Sequence, residues 1–338
     1  MKYTALGRTG MNVSRFCLGT TNFGDYTDEK EAFRIMDAAV DAGINYFDTA
    51  NEYGGDHKGI TETMIGRWFH QNGKRKKVIM QTKSFSWMAQ SDDPPNEGEH
   101  GLSTYKLRRN LEDSLRRLQT DHIEVYMMHH YDRNVTWDEL YECYQSMLYQ
   151  GKIDYLGSSN SSGYDLMEAQ MEAGRRGVLG IICEEHRYNL MCRLPELELL
   201  PAAKKLRIGV IAYSPLSVGQ LAGKRTADNG VRSRRADGDS NAVKHPKPPS
   251  YFTALDMPSR LEQYSAFCKE LGLLESSVAL AWILSNPCMT GVIVGPRTVR
   301  HLEEILPALE LELTPEILKK LDSIFPGPGG GAPEAYAW

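Results

Sequence analysis

Four polar side chains stand at or just after the ends of short apolar runs: Asp48, Tyr53, Lys83 and His129. A lysine that ends an apolar run is rarely buried without a partner, and Asp48 is a natural partner for Lys83. A cation beside Tyr53 would favour the phenolate and lower the pKa of this tyrosine, which is about 10 in isolation. With His129 holding a carbonyl oxygen, the group could protonate an alkoxide, which is the step that accompanies hydride delivery to a carbonyl.

Simpler interpretations exist for each residue alone. Asp48 could cap a strand end, and Lys83 could be a surface lysine with a buried stem. His129 and His130, with Asp132 nearby, could suggest a metal site. However, adjacent residues of a strand point to opposite faces, which disfavours a shared ion. Compatible groups at three consecutive strand ends therefore favour an active site without a metal.

Composition predicts a cytoplasmic protein without nucleic-acid or membrane partners. The chain has 338 residues, with 41% hydrophobic residues, 25% charged residues and a formal net charge of −5. Its basic stretches, 73–77 and 231–235, are short, so no broad basic field is present to attract nucleic acid. Six cysteines without C-x-x-C spacing suggest reduced thiols. No signal-peptide core and no membrane-spanning apolar run is expected.

Eight strand-like apolar runs alternate with amphipathic segments. The runs are 15–19, 44–48, 77–83, 122–130, 153–159, 179–185, 208–214 and 290–295. Thr27, Ser103 and the serines at 161–162 begin helix-like segments; in the first, Thr27 is the candidate N-cap. This alternation predicts an α/β fold, and eight strands predict a (β/α)8 TIM barrel. A doubly wound sheet would show a G-x-G-x-x-G turn, which is missing from the sequence.

The whole chain, 1–338, is predicted to be one domain. It would begin with an N-terminal segment at 1–15 and end in a Gly/Pro-rich tail at 325–338. Two long connections, 84–103 and 215–258, are predicted to be loops over the carboxyl-terminal mouth of the barrel, because loops of this length are usually functional. Catalytic groups of such barrels gather at that mouth.

These residues resemble the aldo-keto reductase family over nearly the whole chain. The motifs that carry the resemblance are NYFDTANEYG, VIMQTK, IEVYMMHHYD, IDYLGSSN, IGVIAYSPL and VIVGPRTVRHLEE. The resemblance implies a barrel that binds NADP(H) and transfers hydride to a carbonyl. It implies that Tyr53 protonates the oxygen, that His129 orients it, and that Asp48 and Lys83 tune Tyr53. Bacterial members that act on sugars or small carbonyls are the most similar in their tails.

The resemblance also implies a cofactor site. In the family, the Ser and Asn of IDYLGSSN hold the nicotinamide carboxamide and the Tyr of IGVIAYSPL stacks on its ring. The predicted cofactor residues are Gly19, Thr20, Ser159, Asn160, Glu185, Tyr213, Ser214, Pro215, Leu216, Gly219, Leu221, Lys224, Gly295, Arg297, His301 and Glu304. Arg297 and Arg300 are candidates for a 2′-phosphate, because a guanidinium pairs bidentately with phosphate, which favours NADPH over NADH.

Two departures from the family pattern stand out. Glu185 lies where relatives usually have a Gln that contacts the carboxamide. An ionised Glu cannot donate a hydrogen bond, and it would favour the positively charged oxidised nicotinamide. Ile305 replaces an Asn that contacts adenine in many relatives, a contact that only Glu304 could make here.

Phe23, Trp87, Met88 and His130 are the predicted lining of the substrate pocket. Aromatic walls suit both sugars and aryl carbonyls, so they leave the small-molecule carbonyl substrate undefined. A second hypothesis is a nicotinamide-binding regulatory subunit of a membrane channel, because channel-associated members of the family keep the same four residues. A third is a metal-dependent barrel hydrolase. The sequence leaves the oligomeric state, including a homo-oligomer, and the direction of the reaction open.

Overall fold

Eight parallel strands close into a barrel in the computed structural model, which describes residues 1–86, 88, 100–223 and 257–329. After a hairpin of β1 (Tyr3–Ala5) and β2 (Asn12–Ser14), the barrel strands follow in chain order. They are β3 (Phe16–Gly19), β4 (Tyr46–Asp48), β5 (Ile79–Ser84), β6 (Ile123–Met128), β7 (Ile153–Ser159), β8 (Ile181–Arg187), β9 (Gly209–Tyr213) and β10 (Met289–Val294). The predicted (β/α)8 barrel is confirmed, and each strand overlaps one predicted run.

Helices surround the barrel and follow most of its strands. They are α1 (Glu29–Asp41), α2 (Ile60–Asn72), α3 (Thr104–Leu118), α4 (Trp137–Tyr149), α5 (Gly163–Arg175), α6 (Leu199–Leu206), α7 (Met257–Glu270), α8 (Glu275–Ser285), α9 (Val299–Ile305) and α10 (Pro315–Ile324). Short polar side chains accept a backbone N–H at many of the helix starts, as expected for N-caps. At α1 the N-cap is Asp28, which accepts from the Glu31 N–H, and not the predicted Thr27.

Two layers of apolar side chains follow from the period of two along the strands. An outer layer lies between strands and helices and includes Phe16, Leu18 and Phe47. A smaller inner layer fills the barrel and includes Cys17, Val125 and Ile293. The interior is therefore packed, and polar chemistry is concentrated at its carboxyl-terminal end.

The β1–β2 hairpin closes the amino-terminal end of the barrel. Leu6, in the turn of the hairpin, is fully buried and packs into the inner layer. Gly7 has a φ of +59°, and a Cβ there would lie 2.2 Å from the Ile182 carbonyl oxygen. Residues 1–15 were predicted only as an N-terminal segment, because three-residue strands give a weak sequence signal.

Parts of the predicted loops and tail lie outside the described residues. These are 87 and 89–99 in the first connection, 224–256 in the second, and 330–338 at the end. Phe325, where the tail was predicted to begin, is instead part of the core and meets the Tyr264 ring at 5.7 Å between centroids. Within the described residues, no helix combines the length and the apolar character needed to cross a membrane.

Candidate active site

Asp48 and Lys83 are brought together by the pairing of β4 with β5. Asp48 lies opposite Gln81 in register. Lys83 follows Gln81 by two residues on β5, so it lies on the same face of the strand and closer to the mouth. The ammonium contacts Asp48 Oδ1 and donates to the Thr49 carbonyl oxygen at 2.9 Å. The Lys83 side chain is 1% exposed and that of Asp48 is 4% exposed. A lysine this deeply buried needs such a partner to remain charged.

Tyr53 lies directly beside this ion pair, in the turn that follows β4. Lys83 Nζ is 5.3 Å from the centroid of the Tyr53 ring. The expectation of a lowered tyrosine pKa is nevertheless wrong. Burial raises the pKa of Tyr53, the charges of Asp48 and Glu52 add to this, and together they outweigh the opposing effect of Lys83. The phenol therefore holds its proton at neutral pH.

His129 stands on the other side of Tyr53. The two rings meet edge to face at 5.9 Å between centroids. His129 Nδ1 lies 3.0 Å from Glu52 Oε1, at an ion-pair distance without good hydrogen-bond alignment. Although burial opposes it, His129, together with Ser86 and Lys58, lowers the pKa of Glu52 to about 2. Sequence reasoning missed Glu52, which has no pattern of its own beside Tyr53.

The two adjacent histidines do not point to opposite faces as predicted. β6 ends at Met128, before them, and their rings stack at 5.2 Å with an interplanar angle of 15°. The rule of alternation applies only inside a strand. Among the described residues, no group of three His, Cys, Asp or Glu side chains is arranged to hold a metal ion.

Glu185 reaches the same ion pair from the opposite wall of the barrel. Its Oε2 lies 3.3 Å from Lys83 Nζ. The Gln81 amide donates to Asp48 Oδ1 at 2.9 Å and also contacts Glu185 Oε1, while the Tyr46 hydroxyl donates to the Gln81 oxygen. Sequence reasoning missed Gln81, although a Gln two residues before Lys83 in an apolar strand must face the same interior.

Ser159, Asn160 and Tyr213 form a connected group at the ends of β7 and β9. The Tyr213 hydroxyl donates to Asn160 Oδ1 at 2.6 Å. Asn160 Nδ2 donates to Ser159 Oγ at 3.0 Å and to the His129 carbonyl oxygen at 3.1 Å. Asn160 has a φ of +61°, in the left-handed region. The three residues predicted to contact the carboxamide and the ring thus lie together, next to His129.

The loop after β9 has an unusual backbone. Ser214, Ser217 and Val218 have φ values of +51°, +47° and +58°, and Gly219 has +87°. Such conformations cost of order 1–3 kcal/mol each in residues other than glycine and cluster at ligand sites. The remaining predicted residues of this loop are Pro215, Leu216 and Leu221, of which Leu221 is fully buried. Lys224 lies outside the described residues.

The predicted residues after β3 and β10 line the same rim. Gly19 lies opposite Asp48 in register, and the Thr20 hydroxyl donates to the Asp48 carbonyl oxygen at 2.8 Å. The Gly295 carbonyl oxygen accepts from the Asn22 amide at 2.9 Å. Thr20 and Gly295 thus fix the loops that begin where these two strands end.

Arg297, His301 and Glu304 lie further out, around the start of α9. The Arg297 guanidinium lies 4.2 Å from the centroid of the Tyr26 ring. The His301 N–H donates to the Thr298 side chain that caps α9. Glu304 accepts from Arg300 at 2.8 Å, so its carboxylate is already engaged on the exposed face of this helix.

The predicted substrate wall needs one correction. Phe23 is fully buried and packs in the outer layer, so it presents no surface to the mouth. His130 is exposed and meets the Phe85 ring at 5.2 Å, and Phe85 stacks on His100 at 5.5 Å. Sequence reasoning missed Phe85 and His100, which pack beside His130. Met88 is partly buried, and Trp87 lies outside the described residues.

A nicotinamide dinucleotide fits the chemistry of these residues. Tyr213 offers an aromatic face, Asn160 and Ser159 offer amide and hydroxyl groups, and the left-handed loop at 214–219 is typical of a ligand-contacting backbone. Arg297 supplies a positive charge at the outer end. These groups lie at the carboxyl-terminal end of the barrel and at the start of α9.

Comparison with known proteins agrees with this geometry. Residues 15–325 match the model of the Aldo/keto reductase family. The chain is 52% identical to the uncharacterized oxidoreductase YrpG of Bacillus subtilis, over 100% of both chains. It is 32% identical to a probable voltage-gated potassium channel subunit beta of Oryza sativa, with 96% of each chain covered. It is 29% identical to a putative aryl-alcohol dehydrogenase of Schizosaccharomyces pombe, over 95% of this chain and 94% of that protein.

Proposed function

Because the chain belongs to the aldo/keto reductase family, we propose that it reversibly reduces an aldehyde or ketone to the alcohol, with NADP(H) as cofactor and Tyr53 as general acid. The observation that carries the proposal is the placement of Tyr53 between the Lys83–Asp48 ion pair and His129. The reaction is that of an oxidoreductase acting on a CH–OH group, in a cytoplasmic protein.

Each residue of the group has a distinct part. Tyr53 is protonated at neutral pH, since burial raises its pKa, so it can donate to the developing alkoxide. Lys83 then stabilises the phenolate that remains. His129, which lies beside Glu52, is placed to direct an N–H at the carbonyl oxygen. A bound reduced nicotinamide would supply the hydride.

The residues at the carboxyl-terminal rim support a particular cofactor and a class of substrate. Ser159, Asn160 and Tyr213 would hold the nicotinamide end, and Arg297 would pair with the 2′-phosphate of NADP(H). The aromatic wall of Phe85, His100 and His130 suits a sugar, a keto-deoxysugar or a small aryl or alkyl carbonyl. The relative named as a putative aryl-alcohol dehydrogenase supports the aryl class.

Replacement of Tyr53 by Phe tests the proposal. We expect the variant to bind NADPH as the unsubstituted protein does and to lose about 10²–10⁴-fold in kcat, because only the transferable proton is removed. Fluorescence titration gives the affinity, and a screen of keto-sugars against aryl aldehydes gives the turnover. Tyr149→Phe, at a tyrosine 87% exposed on α4, is the matched control and should keep full activity. Near-normal turnover by Tyr53→Phe would remove Tyr53 from its role.

A regulatory subunit of a membrane channel is the second candidate. The observation that favours it is the 32% identity to a probable potassium channel subunit beta. Such a role predicts a homo-oligomer that co-purifies with a membrane protein and turns over small carbonyls slowly. A fast reductase that is monomeric at micromolar concentration would rule it out.

A further inference from the structure

The buried ammonium of Lys83 faces two carboxylates, and only one of them is needed to balance its charge. Asp48 contacts it from β4, and Glu185 lies 3.3 Å from it on β8. β4 and β8 are four strands apart in the closed barrel, so Glu185 reaches across the interior. The side chains of Lys83, Asp48 and Glu185 are 1%, 4% and 3% exposed. One cation against two ionised carboxylates would leave a net negative charge in a dry site.

The arrangement of these groups favours a proton among them. Both carboxyls contact the Lys83 ammonium, and two like charges this close are unfavourable in a buried site, so protonation of one of them is favoured. Gln81 donates to both carboxyls and so holds them together. Burial, and then the charge of Asp48, raise the pKa of Glu185 well above its usual range, against the opposing effect of Lys83. Glu185 is therefore the member of the pair that keeps the proton.

The other groups around Glu185 do not replace Lys83 as counter-charge. The ionisable side chains that face it or contact the same interior are Cys17 of β3, Tyr46 and Asp48 of β4, Tyr53, Lys83 of β5, Tyr155 of β7, Cys183 and Arg187 of β8, and Tyr213 of β9. β6 and β10 contribute Val125, Met127 and Ile293, which are apolar. Arg187, two residues further along β8, has no ion pair with Glu185 among the described contacts.

We propose that Glu185 stores one proton, next to Asp48 and Lys83, and releases it to water when the oxidised cofactor binds. The inference rests on the proposed cofactor. Glu185 pairs with Ser159 of β7 on one side and with Ile211 of β9 on the other, and Ile211 is two residues before Tyr213. The nicotinamide end, held by Ser159 and Tyr213, would therefore lie next to this carboxyl. A positive ring favours the carboxylate, whereas the neutral reduced ring does not. In the release, the O–H bond of Glu185 breaks and the proton passes to the buffer.

Calorimetric titration in buffers of different ionisation enthalpy counts the released protons. The unsubstituted protein should release about one proton per NADP⁺ below the Glu185 transition, and close to none per NADPH. By linkage, its affinity for NADP⁺ should rise up to about tenfold per pH unit over that range. Glu185→Gln should release none and show a flat profile. Glu184→Gln is the matched control, since Glu184 is an equally buried carboxyl of β8 that bonds to Ser158 and to the Ser161 N–H instead of Lys83, and it should behave as the unsubstituted protein.

Two results would overturn the proposal: no proton release with NADP⁺ by the unsubstituted protein, or equal release by Glu185→Gln. If neither nucleotide binds, the proposed function fails together with the release step. The stored proton is then read separately, from the infrared band of a buried protonated carboxyl in the unsubstituted protein. This band should disappear in Glu185→Gln. If the unsubstituted protein lacks the band, Glu185 stores no proton, and this result holds even if the variant does not fold.

Discussion

Burial and neighbouring carboxylates, rather than the nearby ammonium, decide the protonation of Tyr53. Lys83 alone would stabilise the phenolate, but desolvation disfavours it more, and the charges of Asp48 and Glu52 add to the effect. Asp48 also neutralises part of the Lys83 charge. The result suits reduction, because a general acid must carry its proton when the substrate arrives. Oxidation of the alcohol would need the opposite state and should be faster at higher pH.

At the same scale, Glu52 should contribute a pH-dependent stability. Its pKa is lowered to about 2 in the folded protein, from an ordinary value of 4.5. A carboxyl with a lowered pKa stabilises the fold fully above its unfolded pKa, and this contribution is lost as the pH falls towards its folded pKa. We expect Glu52→Gln to be less stable than the unsubstituted protein at about pH 6, and the difference to shrink by about pH 3. Urea unfolding at both pH values measures it.

A difference that stays constant with pH would show that Glu52 acts through packing only. Glu139 offers a matched control, because it lies on α4 and its carboxylate accepts from the Thr104 N–H at 2.7 Å, away from the mouth. Glu139→Gln should lower stability without changing kcat. Glu52→Gln should also lower kcat, because His129 loses the carboxylate that positions it.

The sequence predicts residue types at the site better than their charge states. Asp48, Lys83, Tyr53 and His129 all end or follow apolar strands, so a barrel necessarily brings them to one rim. Burial depth and cross-barrel contacts are different. The contact of Glu185 with Lys83 joins residues about a hundred positions apart and depends on the barrel diameter, which no local pattern encodes. The contacts of Glu52 with His129 and of Gln81 with Glu185 likewise join residues distant in the sequence.

At the scale of elements, the β1–β2 hairpin is held by close backbone contact. A Cβ on Gly7 would meet the Ile182 carbonyl oxygen at 2.2 Å, and its φ of +59° is unfavourable for other residues. Gly7→Ala should therefore destabilise the protein by about 2–4 kcal/mol, from left-handed strain plus overpacking. Gly10→Ala, in the same turn, meets nothing within 4 Å and should be nearly neutral. Chemical unfolding of both variants checks this; equal stabilities would mean that the hairpin adjusts freely.

Elements with strong local signals were predicted, and those set by tertiary contacts were not. Barrel strands buried on both faces give continuous apolar runs, and Ser103 and Ser162 cap helices as their sequences indicate. The three-residue strands of the hairpin carry too little periodicity to be recognised. Phe23 was misplaced because an aromatic residue after a strand can turn towards the mouth or towards the helices, and only the packed structure decides.

At the scale of the whole molecule, cofactor binding should stabilise the entire barrel. The proposed contacts come from β3, β7, β8, β9 and β10, so a bound nucleotide would join both halves of the chain. At NADPH one hundred times above Kd, the gain is about 2.7 kcal/mol, and Tm should rise by a few degrees in one transition. Differential scanning calorimetry measures this. Two separate transitions would contradict the predicted single domain, and an unchanged Tm would contradict cofactor binding.

Among the described residues, the hairpin closes the amino-terminal end of the barrel, opposite the end that carries the Lys83 cluster. Because Leu6 fills the interior at that end, water would reach the Lys83 cluster from the carboxyl-terminal rim, which the substrate would also use. A nucleotide bound on that rim would block the access of water to the interior. Protons would then exchange with the solvent only while the cofactor enters or leaves. The number of protons in the interior would therefore stay constant during each turnover.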